Sequence, residues 1–168
     1  MADYIYAVSS MRYGTPTGAA TMPGTLTALP DTVKGSITVE ETEGTLTRFE
    51  VDQKKDPIRV IKSAEGEFTL TAQFYDMTFT NLASFKGGSA TTGTGGTFTP
   101  SVDYTTVDKA LEINFVSGHK MEIYNGSCVA RMTGGGGRDK MLAWELKITP
   151  MVTTNLLGVY KFTAATGV

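Results

Sequence analysis

Between residues 68 and 75 the chain alternates without a break. Phe68, Leu70, Ala72 and Phe74 are each followed by a residue of another kind: Thr69, Thr71, Gln73 and Tyr75. A period of two sets the first group on one face of a β-strand and the second on the other, so this segment has one side in a core. The same period marks other stretches. Residues 33–52 read as a hairpin, with Ile37 and Val39 opposite Ser36, Thr38 and Glu40. A reversal is expected near Glu43 and Gly44, followed by a return in which Thr45, Thr47, Phe49 and Val51 alternate with Leu46, Arg48, Glu50 and Asp52. A shorter strand is expected over 58–62, between the turn signals Asp56-Pro57 and Glu65-Gly66. The pattern returns at Leu111, Ile113 and Phe115, and Ser117-Gly118 turns the chain into a strand from Lys120 to Met132 with a bulge at Asn125-Gly126. A last strand puts Leu142, Trp144, Leu146 and Ile148 on one face before Pro150 stops it. The expected core is Ile37, Val39, Phe49, Val51, Phe68, Leu70, Phe74, Leu111, Ile113, Leu142, Trp144 and Leu146.

After the cleanest strand the period lengthens. Asp76 or Thr78 can cap a short helix in which Phe79, Leu82, Ala83 and Lys86 fall at helical spacing, and Gly87-Gly88 ends it. Residues 87–96 are Gly, Ser, Thr and Ala, too poor in large apolar side chains to pack, and read as an insertion or disordered loop. Residues 134–137 are four glycines and read as a flexible hairpin loop. Residues 1–32, punctuated by Gly14, Pro16, Gly18, Pro23, Gly24 and Pro30, read as an extended N-terminal arm, and 151–168 as a C-terminal tail. The body is then 33–150. Arm, hairpin, strands, one helix and late strands together predict a mainly β fold, an antiparallel sandwich or barrel with one short α-helix and an N-terminal arm.

Composition narrows the function. A chain of 168 residues fits a single core, and a charged fraction of 19% leaves much surface to Thr, Ser, Gly and Ala, which copies of the same chain can bury readily. A formal net charge of −2 supplies no basic field to hold nucleic acid. The single cysteine, Cys128, has no partner for a disulfide or a paired zinc motif, and reads as a small buried apolar group. A nucleophile at Ser127-Cys128 is the weaker alternative. His119 follows a turn and reads as an exposed turn residue; the glycine run ending at Arg138 lacks the Gly-Lys-Ser/Thr close of a phosphate loop. No stretch reaches the roughly 18 apolar residues of a membrane span, and the first residues carry no secretory leader pattern, so use in cytoplasm-like surroundings is expected. No catalytic, cofactor-binding or metal-binding set emerges. The acidic residues Glu40, Glu41, Glu43, Glu50 and Asp52 cluster in the first hairpin, and on their own read as a solvated strand face.

The order of elements resembles that of the tail tube (major tail) proteins of bacteriophages, which are similar in turn to the inner-tube proteins of contractile injection systems. The resemblance runs over about residues 29–151. It rests on Leu29-Pro30, the run Val33-Lys34-Gly35-Ser36-Ile37-Thr38-Val39-Glu40-Glu41, a charged second strand, Gly66-Glu67-Phe68-Thr69-Leu70-Thr71, Asn81-Leu82-Ala83-Ser84-Phe85, and late strands divided by the 134–137 loop. It implies a virion structural protein, assembled in the host cytoplasm, whose hexameric rings join their sheets into one barrel and stack into a tube. Its partners would be copies of itself, tail initiator and terminator proteins, the tape measure protein and passing double-stranded DNA in the lumen, and in some tails a sheath. Glu40, Glu43, Arg48, Glu50 and Asp52 would then face the lumen, where carboxylates repel phosphates. An inner tube of a contractile device or bacteriocin is the nearest alternative. A monomeric β-barrel carrying a small apolar ligand is the alternative of another class.

Overall fold

A computed structural model describes residues 5–49, 59–62, 64, 66–76, 78–102, 106–135, 141–154 and 159–165. In chain order they form β1 (Val8–Gly14), β2 (Thr27–Ala28), β3 (Thr38–Glu41), β4 (Leu46–Phe49), β5 (Arg59–Lys62), β6 (Phe68–Phe74) and α1 (Phe79–Lys86). After the helix come β7 (Ser89–Ala90), β8 (Phe98–Thr99), β9 (Val107–Phe115), β10 (Lys120–Gly134), β11 (Leu142–Pro150) and β12 (Tyr160–Thr163). The fold is mainly β, with antiparallel pairing and one helix among the described residues. β6 bears out the alternation that predicted it: Phe68, Leu70, Ala72 and Phe74 are buried and the residues between them are not.

The large sheet runs β2-β1-β9-β10-β11-β6-β3, with β12 also on β10. Its inner face is the core, formed by Met11, Tyr13, Leu70, Phe74, Leu111, Ile113, Met121, Ile123, Leu146 and Ile148 among others. One segment draws its two ends around that core. Thr27 and Ala28 pair with β1, the Leu29 amide donates to the Met11 carbonyl at 2.9 Å, and Leu29 is buried. Three residues on, Thr32 bridges to Phe74, the Val33 amide donates to the Gln73 carbonyl at 2.7 Å, and β3 pairs with β6. α1 lies over the core and buries Leu82 and Phe85. Thr78 caps it by accepting from the Asn81 amide, as expected, and Gly87 ends it at φ 72°, in the left-handed region that favours glycine. The Tyr13 hydroxyl donates to Asn81 Oδ1 at 2.8 Å while its ring packs on Phe85 at 4.7 Å, so β1 is fastened to the helix by polar and apolar contacts.

Several expectations are corrected. Part of the expected arm is β1, a strand of the main sheet that contributes Met11 and Tyr13 to the core. The tail returns as β12, paired with the first half of β10. The described part of the expected hairpin, residues 33–49, does not pair with itself: β3 pairs with β6 and β4 with β5. The result is one long excursion, in which the β3–β6 ladder carries on into β4–β5. The Thr42 amide donates to the Glu67 carbonyl at 3.0 Å and the Ala64 amide to the Thr45 carbonyl at 3.3 Å. Glycine is required where the two strands cross here, because a Cβ on Gly66 would stand 1.6 Å from the Thr42 carbonyl oxygen.

Three expected core residues are at the surface, each about half exposed. Val39 (48%) lies on β3, which among the described residues has a strand on one side only; Phe49 (47%) lies on the hairpin beyond the sheet; and Leu142 (49%) pairs with Gly134 at the far end of the β10–β11 ladder. Ile37 and Trp144 are partly buried against the core, with the Lys86 ammonium 5.9 Å from the Trp144 ring. Val51 lies outside the described residues. Ser89–Ala90, within the expected loop 87–96, pairs with Phe98–Thr99 as a small sheet. The bulge at Asn125-Gly126 is borne out by a register shift between Ile123 and Gly126.

Candidate functional site: the charged face of the large sheet

On β1, β9, β10 and β11 the residues between core side chains point to the opposite face of the sheet, and three of them are carboxylates less than a tenth exposed: Glu112 (6%), Glu122 (8%) and Glu145 (9%). Carboxylates so enclosed need partners. Register supplies them. Arg12 lies opposite Glu112, Glu112 opposite Glu122, and Glu122 opposite Lys161, a row of signs plus, minus, minus, plus across four strands. Arg12 Nε donates to Glu112 Oε1 at 2.9 Å and its Nη2 ion-pairs with the same oxygen. Asn114 Nδ2 donates to that oxygen at 3.2 Å. The two like charges at the centre of the row are held together by Lys120, whose Nζ stands 2.6 Å from Glu122 Oε1 and 3.7 Å from Glu112 Oε2.

Burial pushes the Glu112 carboxyl up, but the hydrogen bonds from Arg12 and Asn114 and the charges of Arg12 and Lys120 outweigh it, and the net shift is downward. Lys120 is raised, first by its hydrogen bond to Glu122. Tyr124, beyond Glu122 on the same face, is raised by burial and by the Glu122 charge. A second row lies over β10, β11 and β6. Arg131 Nε donates to Glu145 Oε1 at 2.5 Å, and Gln73 Nε2 donates to Glu145 Oε2 at 3.3 Å. Each buried carboxylate is thus bound by a cation on a sheet face, an arrangement that fixes the shape and charge of a surface.

Three of the five residues expected to face a lumen are among the described residues. Glu40 lies on β3 and Glu43 just beyond it, Arg48 is on β4, and all three are exposed; Glu50 and Asp52 lie outside the described residues. Register puts Glu40, opposite Thr69, on the charged face of the large sheet at its β3 edge, the face that also carries Gln73 and Glu145, whereas Glu43 and Arg48 lie beyond that sheet. What the sequence reading missed is Glu112, Glu122 and Glu145. The signal was present: each is a carboxylate between two apolar residues in a β-period run, Leu111-Glu112-Ile113, Met121-Glu122-Ile123 and Trp144-Glu145-Leu146.

Two other expectations resolve here. His119 is at the β9–β10 turn as expected but is buried, with Nδ1 2.9 Å from Ser117 Oγ. Cys128 is buried on the core side of β10, its Sγ 3.4 Å from the Gly126 carbonyl, and burial pushes the thiol up to about 12. A thiol so raised is almost wholly protonated near pH 8. The native protein is therefore expected to leave Cys128 unmodified by an aromatic disulfide reagent that labels it fully in guanidinium; fast labelling of the native form would place the thiol at the surface instead. No known protein-family model matches this chain, and none of the curated proteins matches it in sequence.

Proposed function

We propose that the chain is a structural subunit that assembles with its own copies into rings stacked as a tube, the tail tube of a bacteriophage, which holds the tape measure protein and then conducts DNA into the host. The observation that carries the reading is the β4–β5 hairpin: all eight of its residues are exposed, among them the large apolar Leu46, Phe49, Val60 and Ile61. Two strands alone are marginal in water, so such an excursion gains its stability from a surface outside its own subunit. The charged sheet face supports the same reading. Its carboxylates are neutralised by Arg12, Lys120 and Arg131, and a wall of paired charges offers a polyanion little net field to grip. The interior between sheet and helix is filled by side chains such as Phe74, Phe85 and Leu111, where a ligand carrier would keep its cargo.

Electron microscopy of the purified protein, alone and with a tail initiator, is expected to show rings or tubes. A chain that sediments as a monomer at every concentration and never joins a tube would exclude the reading.

A further inference from the structure

Several strands pair on one side only among the described residues, and two of them carry complementary side chains. β3 pairs with β6 on one side only, and β5 pairs with β4 on one side only. Open edges recruit strands, and their side chains decide which. The β3 edge is acidic, with Glu40 and Glu41, and carries the half-exposed Val39. The hairpin carries three cations and no carboxylate among its eight described residues, Arg48 on β4 and Arg59 and Lys62 on β5, and Ile61 is exposed between the latter two. Glu40, Glu41, Arg48 and Arg59 enter none of the ion pairs formed among the described residues.

We propose that the β5 edge of one copy adds antiparallel to the β3 edge of a second copy, with Arg59 opposite Glu41 and Ile61 opposite Val39. The partner is a second copy of this chain, and the proposal rests on the assembly reading above. The register satisfies faces as well as charges. Val39 and Glu41 pair with Leu70 and Phe68, so they lie on the core side of the sheet; Ile61 and Arg59 share one face of the hairpin with Thr47 and Phe49. Docking therefore continues the apolar stripe Leu70-Val39 outward to Ile61 and covers two side chains that the isolated subunit leaves half exposed.

The pairing also fixes direction. β4 continues β3 toward the hairpin tip and β5 returns from it, so an antiparallel β3–β5 contact leaves both hairpins pointing the same way. In its own subunit Val60 pairs with Arg48; in the contact it stands opposite Glu40, eight positions nearer the base. At about 3.3 Å per residue the second copy is displaced by roughly 26 Å along the hairpin. A contact that joins different surfaces and preserves direction is heterologous, and it can be repeated around a ring or along a tube.

The test uses two single-cysteine additions. Directly opposed residues of an antiparallel pair approach closely enough for a disulfide. Val39→Cys and Ile61→Cys proteins, distinguished by a tag, are mixed under assembly conditions and oxidised; the buried Cys128 serves as the silent background. A Val39→Cys/Ile61→Cys heterodimer dominating over either homodimer is the expected result, and mixing separate proteins rules out closure within one chain. As a second measure, Glu41→Arg and Arg59→Glu are each expected to weaken assembly at least tenfold in critical concentration, with the pair together restoring most of it. Tubes that form normally but give no heterodimer, and tolerate both single reversals, overturn the edge contact and leave the tube reading intact. A heterodimer in a protein that never forms rings or tubes supports the contact and removes the tube reading.

Discussion

Phe74→Ala is expected to lower the free energy of unfolding by about 3–5 kcal/mol, the largest loss of any single truncation considered for this chain. Phe74 is wholly buried at the end of β6, where it pairs with Trp144 of β11 on one side and meets Thr32 on the other. Its ring therefore stands where the strand that leaves β1 arrives at the opposite side of the sheet. Truncation removes the transfer free energy of the ring and leaves a cavity bounded by strands whose register is set from both sides, so the site can collapse little. For a chain of this length the loss corresponds to a fall in Tm of roughly 6–20 °C. Val39→Ala, at a position that alternation also assigns to the core, is expected to cost less than about 1 kcal/mol in the dispersed protein because the side chain is about half exposed. Guanidinium unfolding of both variants at low protein concentration decides the matter. Equal losses would mean that Val39 is as enclosed as Phe74 in the isolated subunit.

That contrast shows where period-two reading succeeds and where it stops. Alternation is a local property, and it located β6, β9, the first part of β10 and β11 together with the faces that carry Phe68, Leu70, Phe74, Leu111, Ile113 and Leu146. It says nothing about which strand lies beside which. Residues 38–41 and 46–49 are neighbours in sequence with a turn signal between them, yet β3 finds its partner about 30 positions away in β6, because that ladder places Val39 beside Leu70 at the margin of a core. A face assignment in the sequence is equally blind to whether anything covers that face, which is why Val39, Phe49 and Leu142 keep the right period without the burial.

β1 was hidden for another reason. A register shift between Val8 and Ser10 breaks the phase, so the core-facing Val8 and Met11 stand three apart and the alternation of Met11-Arg12-Tyr13 is too short to mark a strand. The charged rows are a mixed case. Their carboxylates could be read from Leu111-Glu112-Ile113 and its counterparts, but the cations come from strands 100 positions away in one instance and 14 in another. Only the folded register joins them.

The Arg12–Glu112 pair gives the second large effect, and its sign follows from the direction of the Glu112 shift. Arg12→Met keeps the length of the side chain and removes the guanidinium. In the wild-type fold Glu112 titrates below its ordinary value of 4.5, so the stability linked to its ionisation is present above that pH and is lost as pH falls through the folded value. Without Arg12 the enclosed carboxylate keeps Asn114 and Lys120 but loses its closest cation, and it still faces Glu122 across the β9–β10 ladder. Its folded value must then rise. At pH 7 the variant is expected to be less stable by about 1–2 kcal/mol, below the range for wholly buried pairs because the Arg12 side chain is itself 45% exposed and screened by solvent. The difference should shrink as the pH falls through the lowered folded value of wild-type Glu112, below which the carboxyl is neutral in both proteins. Chemical unfolding of the two proteins from pH 3 to 7 measures it. A difference that stays constant over that range would assign the loss to packing of the arginine stem rather than to its charge. Pairing Arg12→Met with Glu112→Gln closes the cycle: if the two groups act on each other, the double variant loses less than the sum of the singles by about the coupling itself.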